Sequence, residues 1–453
     1  MINRSVRCIQ DLWQTLFAKE QQSSLKKRLV KGAAGTLGLR IAATGLNFLT
    51  SILLARLLGA SGFGVYTYAF TWTQLLSLGA TLGLDKLIVR EVAVYKTKSS
   101  WNLMRGLLNW ANQIALITSV VLILVAIGVA WSLNVGANSE QFLAFCLAML
   151  IIPIDTLRNL RLAAMRGLNK IVMGLVPELL IAPALLIVLV GCGYLFLGED
   201  LNAPWVILIR LVITLITLAI GMKLLYRILP DEVKKATAKY QAKTWLNSAL
   251  PFMFMGSMYL IKSRTDILML GAIQGAEVVG IYFAVSRGAQ LIDFVTNAAN
   301  TVLAPNIASL YAEGKTEKIQ RILTKSSRTV LLTSLPIIIG LMVFGYWYLS
   351  LFGSEFTQGQ NALIVLCVGQ LVNVATGSAG LLLSMTGHER YTLISRCGST
   401  LLNVVLNALL IPRWGLSGAA IATVGSTVLL NVENTIVVRK KLGIHCTVFG
   451  KLL

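Results

Sequence analysis

Stretches of about twenty mostly apolar residues recur from one end of this chain to the other, and that recurrence leaves few folds open. Hydrocarbon offers no water to backbone amides and carbonyls, so a segment that crosses it must be a helix or belong to a closed barrel. Barrel strands are ~10 residues long and alternate in polarity. The runs here are continuous, and roughly 20 residues suffice for a helix to cross. Twelve segments qualify, approximately 33–55, 62–84, 106–133, 141–157, 171–197, 203–222, 246–270, 278–305, 329–350, 360–385, 393–411 and 415–438. The segment 141–157 is the least clear, because Asp155 and Arg158 crowd its end. Charged residues make up 13% of the chain, about half the ~25% of a soluble domain. The sequence therefore predicts an all-α, multi-pass membrane protein.

The formal net charge is +21. In a soluble protein that excess would suggest nucleic acid. Its distribution argues otherwise. With the N-terminus inside, 33 of the 40 Lys and Arg fall in or at the edge of inner segments, and the outer loops hold only Arg56 and Arg413. The outer loops carry Glu140, Glu199, Asp200, Glu277 and Glu355. Lys and Arg collect on the cytoplasmic side of membrane proteins, so both termini are expected there. Topology explains the basic charge, and no nucleic-acid partner is expected.

Other chemistry is sparse. The six cysteines are scattered with no CxxC spacing, so neither a disulfide framework nor a zinc site is expected. His388 and His445 sit near span ends, which leaves no candidate for a His-centred metal site or triad. The outer loops are short and give little room for a catalytic apparatus. No Gly-rich phosphate loop follows a strand. Before the first span, Ile2, Val6, Ile9, Trp13 and Leu16 recur at helical spacing. Residues 1–32 thus read as an amphipathic cytoplasmic segment, either lying on the inner membrane face or free in solution.

The chain also repeats itself. Gly64-Val65-Tyr66 matches Gly280-Ile281-Tyr282 at an offset of 216, and Gln74 matches Gln290 at the same offset. Met165-Arg166-Gly167 matches Met385-Thr386-Gly387 at an offset of 220. The expected organisation is a six-helix bundle at 33–229, a cytoplasmic linker at 230–245, a second six-helix bundle at 246–438 and a tail at 439–453. Six is even, so the halves point the same way and are related by a pseudo-twofold along the membrane normal. Transporters use that architecture, with substrate between the halves.

Polar residues fall in stripes. On the first span Arg40, Thr44, Asn47 and Ser51 share one face. On the second, Thr67, Thr71, Gln74 and Thr81 do so. The eighth carries Ser286, Gln290, Asp293, Asn297 and Asn300 beside Arg287, and the tenth carries Gln370, Asn373, Gly377 and Ser384. On the seventh, Tyr259, Lys262, Ser263 and Asp266 align while Arg264 points away. Isolated Ser, Thr and Asn serve equally well as interhelical glue. Four stripes carrying Arg, Lys, Asp and Gln fit a water-filled cavity better, because charges in lipid are costly. Lys262 and Asp266 are also spaced to pair on one helix. Arg210, seven residues in from the outer side, reads as a snorkelling side chain. Asp155 with Arg158 reads as an ion pair at an inner end, and Glu178 and Glu433 as packing acids.

The segment LLARLLGASGFGVYTYAFTWTQLLSLGATLGLD, its echo SRTDILMLGAIQGAEVVGIYFAVSRGAQLI and the following LAPNIASLYAEGK resemble polysaccharide-type flippases. These are the lipid-linked oligosaccharide transporters of the multidrug/oligosaccharidyl-lipid/polysaccharide exporter superfamily. The resemblance runs from about 33 to 440. It implies a transporter in the inner, plasma membrane that moves a polyprenyl-diphosphate-linked glycan outward by alternating access. It implies a cationic cavity lined by the first two helices of each half, and membrane lipids and the glycosyltransferases or polymerase of the same pathway as partners. Arg40, Asn47, Thr71, Gln74, Lys262, Arg264, Arg287, Gln290 and Asn297 are the resulting substrate-site candidates. Asp266 and Asp293 are candidates for binding a coupling H+ or Na+, or for acting as counter-charges. No catalytic residue and no cofactor is expected. Two other readings stay open: a cation-coupled multidrug antiporter of the same superfamily, and a membrane-embedded glycan polymerase. The excess of bases over acids on the first, seventh and eighth spans leans against the former, and the short outer loops lean against the latter.

Overall fold

The computed structural model describes residues 2–132 and 139–450, with the side chains of 2–34, 36, 37, 139, 199, 254–260 and 262 outside that description. The expectations for Lys262, Tyr259 and the amphipathic face of residues 1–32 therefore fall outside the described side chains. Among the described residues the fold is helical throughout, with no strand. The first half comprises α1 (Ile2–Thr81), α2 (Leu84–Thr97), α3 (Trp101–Ser132), α4 (Ser139–Met149), α5 (Ile151–Gly167), α6 (Ile171–Val176), α7 (Ala182–Leu197) and α8 (Ala203–Ile228). After the short α9 (Asp231–Lys235) come α10 (Ala242–Ile273), α11 (Ala276–Ala312), α12 (Thr316–Val343), α13 (Gly345–Ser350), α14 (Gln360–Thr376), α15 (Ala379–Met385) and α16 (Glu389–Leu442).

Among the described residues, nine helical stretches are long and apolar enough to cross a membrane. Two are far longer than one crossing needs, Gly38–Thr81 with 44 residues and Glu389–Leu442 with 54. Each is folded back at a glycine. Gly59 has φ 65 and ψ 180 within α1, and Gly415 has φ 51 and ψ −123 within α16. Residues with a Cβ reach such conformations only at a cost, and glycine reaches them freely.

These glycines carry the internal repeat into the backbone. Gly275, 216 residues after Gly59, has φ 90 and ψ −179 and links α10 to α11. Gly198, 217 residues before Gly415, has φ 57 and ψ −126 and ends α7. Corresponding turns of the two halves thus have matching dihedrals as well as matching sequence.

The helix boundaries depart from the hydropathy reading, most plainly in α12 and in the segment expected at 360–385. α12 begins at Thr316, well before the expected span at 329. Helical hydrogen bonds do not need apolar side chains, so the helix continues through its charged first turns. The segment expected at 360–385 is two helices, α14 and α15, parted at Gly377 with φ 72. The Cβ of any larger residue there would lie 2.1 Å from the Cys446 carbonyl oxygen, so the closely packed tail also demands glycine.

The halves meet most closely where α1 crosses α11. A Cβ on Gly64 would sit 1.7 Å from the Ala276 carbonyl oxygen, and one on Gly280 would sit 2.3 Å from that of Ala60. Ala276 and Gly280 are the repeat mates of Ala60 and Gly64. The contact is thus reciprocal between positions 216 residues apart. Around this crossing Leu54, Phe63, Ile281 and Phe352 lie in one buried cluster drawn from both halves. Arg56 ties it further by donating to the carbonyls of Leu351 and Ser350 at 2.8 and 2.6 Å. The Ala60 amide donates to Glu355 Oε2 at 2.9 Å.

Candidate functional site

Two turns along α11 from Gly280, Arg287 has two further arginines, from α8 and α10, within electrostatic reach. Arg287 on α11 lies over the Phe283 ring, 4.6 Å from its centre, and donates to Gln290 Oε1 at 3.2 Å. Arg210 on α8 lies 4.2 Å over the Phe70 ring and donates to the Tyr66 hydroxyl at 3.1 Å. Arg264 on α10, Arg210, Tyr66 and Tyr348 are all within electrostatic reach of Arg287. Tyr348 is held in place by donating to the Ala284 carbonyl at 2.9 Å. Among the described residues neither Arg210 nor Arg287 forms an ion pair, and Arg287 Nε is buried without a hydrogen-bond partner. Ring faces hold the guanidinium planes while leaving their charge uncompensated.

Arg210 thus overturns its sequence reading. It does not snorkel outward; it turns across onto Tyr66 and Phe70 of α1. Outward snorkelling exchanges lipid for headgroup, but here the Phe70 ring and the Tyr66 hydroxyl offer closer partners.

The geometry of α10 sends its charges to opposite sides. Residues two apart on a helix lie about 200° apart, so Arg264 and Asp266 cannot share a face. Asp266 turns into the interior of the second half. Its Oδ1 accepts from Asn407 at 2.7 Å and Asn403 at 3.2 Å. Its Oδ2 accepts from Tyr282 at 3.0 Å and from Thr423. Asn403 and Asn407 stand one turn apart on α16, and Thr423 lies beyond the Gly415 fold-back. Asn407 is fully buried, yet its Oδ1 has no hydrogen-bond partner among the described residues. The result is a buried cage of two amide and two hydroxyl donors around one carboxylate, with one acceptor, Asn407 Oδ1, left over.

A second acid has a chain of its own. Asp293 on α11 faces the side chain of Gln370 on α14. Asn373 donates to Gln370 Oε1 at 3.2 Å, and Asn431 on α16 donates to Asn373 Oδ1 at 2.9 Å. Farther along the same stripe, Ser378 donates to Asn300 Oδ1 at 2.5 Å.

The remaining candidates divide. Gln290 and Asn297 are exposed on α11, and Arg40 is exposed on α1. Gln74 is half-buried. Thr71 and Asn47 are turned to local work. Thr71 Oγ1 donates to the Thr67 carbonyl and Asn47 Nδ2 to that of Ala43, both at 2.7 Å on their own helix.

The stripe search missed Asn403, Asn407, Tyr282 and Thr423. A signal for two of them was present. Ser395, Ser399, Asn403 and Asn407 are spaced four apart and are buried together on α16. In the first half, Asp155 and Arg158 pair at 2.9 Å as expected. Glu178 pairs with the buried Arg161. The Arg161 guanidinium is packed so closely on Gly221 that a Cβ there would lie 2.1 Å from Nη1.

Comparison with known proteins places this geometry. The family model for polysaccharide biosynthesis protein matches residues 29–311, and that for MatE matches residues 251–409. The chain is 26% identical over 384 residues to a protein of Haloferax volcanii named "Probable low-salt glycan biosynthesis flippase Agl15", covering 84% of this chain and 77% of the relative. Among solved structures, an inward-facing multidrug resistance MATE family transporter of the MOP superfamily superposes with TM-score 0.72 at 16% identity, covering 88% and 94% of the two chains. The lipid II flippase MurJ, inward closed, superposes with TM-score 0.63 at 14% identity, covering 90% and 87%. At these identities the structural likeness speaks for the fold.

Proposed function

This chain belongs to the polysaccharide biosynthesis protein family, and from that premise we propose that it is a flippase for a polyprenyl-diphosphate-linked oligosaccharide. It moves the headgroup from the inner to the outer leaflet by alternating access, in the plasma membrane, for cell-surface polysaccharide biosynthesis. The observation that carries the reading is the meeting of Arg210 from the first half with Arg287 and Arg264 from the second. Like charges gathered in a low-dielectric site need an anion, and guanidinium groups grip phosphate through paired, charge-assisted hydrogen bonds. A diphosphate supplies that charge at a point both halves touch. The exposed Gln290 and Asn297 lie along the same helix face and suit sugar hydroxyls, while the prenyl tail stays in lipid.

The nine candidate spans, with those of α1 and α16 doubled at Gly59 and Gly415 and with α10 added, amount to twelve crossings. They form two six-helix bundles, 33–229 and 246–438, about an axis along the membrane normal, joined by a linker at 230–245, with both termini cytoplasmic. The matched glycine turns and the reciprocal Gly64–Gly280 contact support this arrangement. Closure at that crossing leaves the arginines open toward the inner side, where the substrate is made.

Transport is coupled to an ion bound at Asp266. Four side chains that also bear oxygens, Tyr282, Asn403, Asn407 and Thr423, surround one buried carboxylate, and hard cations prefer oxygen ligands. The spare Asn407 Oδ1 suits Na+, and protonation of the carboxylate would serve H+. The cage spans α10, α11 and both arms of α16, so its occupancy bears on how these helices pack.

The test is a deletion strain profiled for both glycan and drug phenotypes. The flippase reading requires the lipid-linked glycan to accumulate in the inner leaflet, with rescue by wild type and not by Arg287→Ala at normal abundance. Unchanged glycan with heightened sensitivity to cationic drugs would favour the antiporter instead. Turnover of glycan by the purified protein without translocation would favour a polymerase.

A further inference from the structure

The helix α12 carries a feature that transport through the centre does not use. Arg321, Lys325 and Arg328 fall at i, i+4 and i+7, on one face, and all three are exposed. Among the described residues none of them forms an ion pair with a carboxylate. A groove of about 570 Å³ runs between this face and the end of the tail, with Thr324 in its floor. At its far end stand two apolar side chains, Leu332 with 69% exposure and Phe449 with 56%. The groove therefore passes from basic to apolar within two to three turns of one helix.

The tail that forms the second wall is firmly placed. Gln320 and the His445 backbone exchange two hydrogen bonds, at 2.5 and 2.6 Å. Ser327 Oγ donates to the Cys446 carbonyl at 3.1 Å, and the Val448 amide donates to that of Ala375 at 3.1 Å. Arg328 Nε donates to the Val448 carbonyl at 3.1 Å, which fixes the plane of its guanidinium and leaves its terminal nitrogens for another partner.

We infer that this groove is a binding site for one anionic phospholipid of the inner leaflet. Arg321, Lys325 and Arg328 hold the phosphodiester, and an acyl chain leaves over Leu332 and Phe449. Basic pockets beside transmembrane helices on the cytoplasmic side hold anionic headgroups in this way. A soluble anion would use the charges but gives no role to the apolar exit. The inference uses the inner-side placement of residues 306–328 and does not depend on which glycan is carried. Labelling of Lys318→Cys from one side of the membrane fixes that placement independently.

The test measures binding of short-chain phosphatidylglycerol and phosphatidylcholine to the purified full chain, by native mass spectrometry and thermal shift. The variant R321A/K325A spares Arg328 and so spares the tail. Wild type should prefer phosphatidylglycerol at least tenfold. The variant should bind it about thirtyfold more weakly, as two lost basic contacts at a lipid surface imply. The control K440A/K441A, at the exposed end of α16, should bind as wild type does. Equal binding of phosphatidylglycerol by wild type and R321A/K325A would overturn the assignment. So would equal binding of the two lipids by wild type, or protection by inorganic phosphate matching that by phosphatidylglycerol.

Discussion

Gly64 and Gly280 lie against each other across the two halves, each occupying the notch left by the other's missing side chain. A Cβ on Gly64 would be 3.1 Å from the Gly280 nitrogen, and one on Gly280 would be 3.0 Å from the Gly64 nitrogen. The closer clashes, with the carbonyls of Ala276 and Ala60, leave even a methyl group no room. A membrane-embedded crossing gains its stability from close backbone packing, which is why small residues serve there.

Gly64→Ala should therefore keep the outer crossing from closing. Overpacking of this kind costs about 1–3 kcal/mol, enough to shift a two-state closure equilibrium by roughly tenfold or more. Cysteines at Ala60 and Ala276 should cross-link readily in the wild-type background and at least tenfold more slowly beside Gly64→Ala. Equal cross-linking rates would show that the crossing does not govern closure.

Arg210 offers the sharpest test of the anion site. A snorkelling arginine tolerates lysine, whereas one stacked on Phe70 and bonded to Tyr66 does not, since lysine lacks the planar fork. Arg210→Lys should lower glycan export severalfold. Arg210→Ala and Arg287→Ala should each lower it about ten- to a hundredfold, in keeping with the loss of a charge-assisted contact worth about 1.5–3 kcal/mol. Export by vesicles of matched protein content is the measure, and full activity of Arg210→Lys would return that residue to the lipid interface.

Asp266→Asn keeps the size of the side chain and removes its charge. Export should lose its dependence on an imposed Na+ or proton gradient while substrate binding survives. Asn407→Ala should shift the ion concentration giving half-maximal export upward. Gradient-dependent export by Asp266→Asn would remove the coupling role.

The Arg161–Glu178 pair should behave as a structural element. Arg161 is 2% exposed, so Glu178→Leu alone leaves a buried charge and should cost about 3–5 kcal/mol. The double change Arg161→Leu with Glu178→Leu should recover most of that loss in thermal unfolding. A double variant no more stable than the single one would mean that the guanidinium is held by its other contacts, Gly174 and Met165.

The sequence by itself determined the helical class, the basic and acidic sides, and the twofold repeat. These readings are written in local terms: apolar run length, charge per loop, and glycines at near-equal offsets, and the turns at Gly59 and Gly275, and at Gly198 and Gly415, have matching dihedral angles. Helical periodicity also showed which residues of α10 and α11 share a face. It could not say what each face meets. Only the tertiary structure brought Asp266 to the hydroxyls of Tyr282 and Thr423 and the side-chain amides of Asn403 and Asn407. It likewise drew Arg210 onto Tyr66, 144 residues away. The physical reason is that a buried charge is stabilised by its nearest partners, and those come from helices far apart in the chain. A hydropathy pattern fixes how deep a residue sits, whereas helix packing fixes its company.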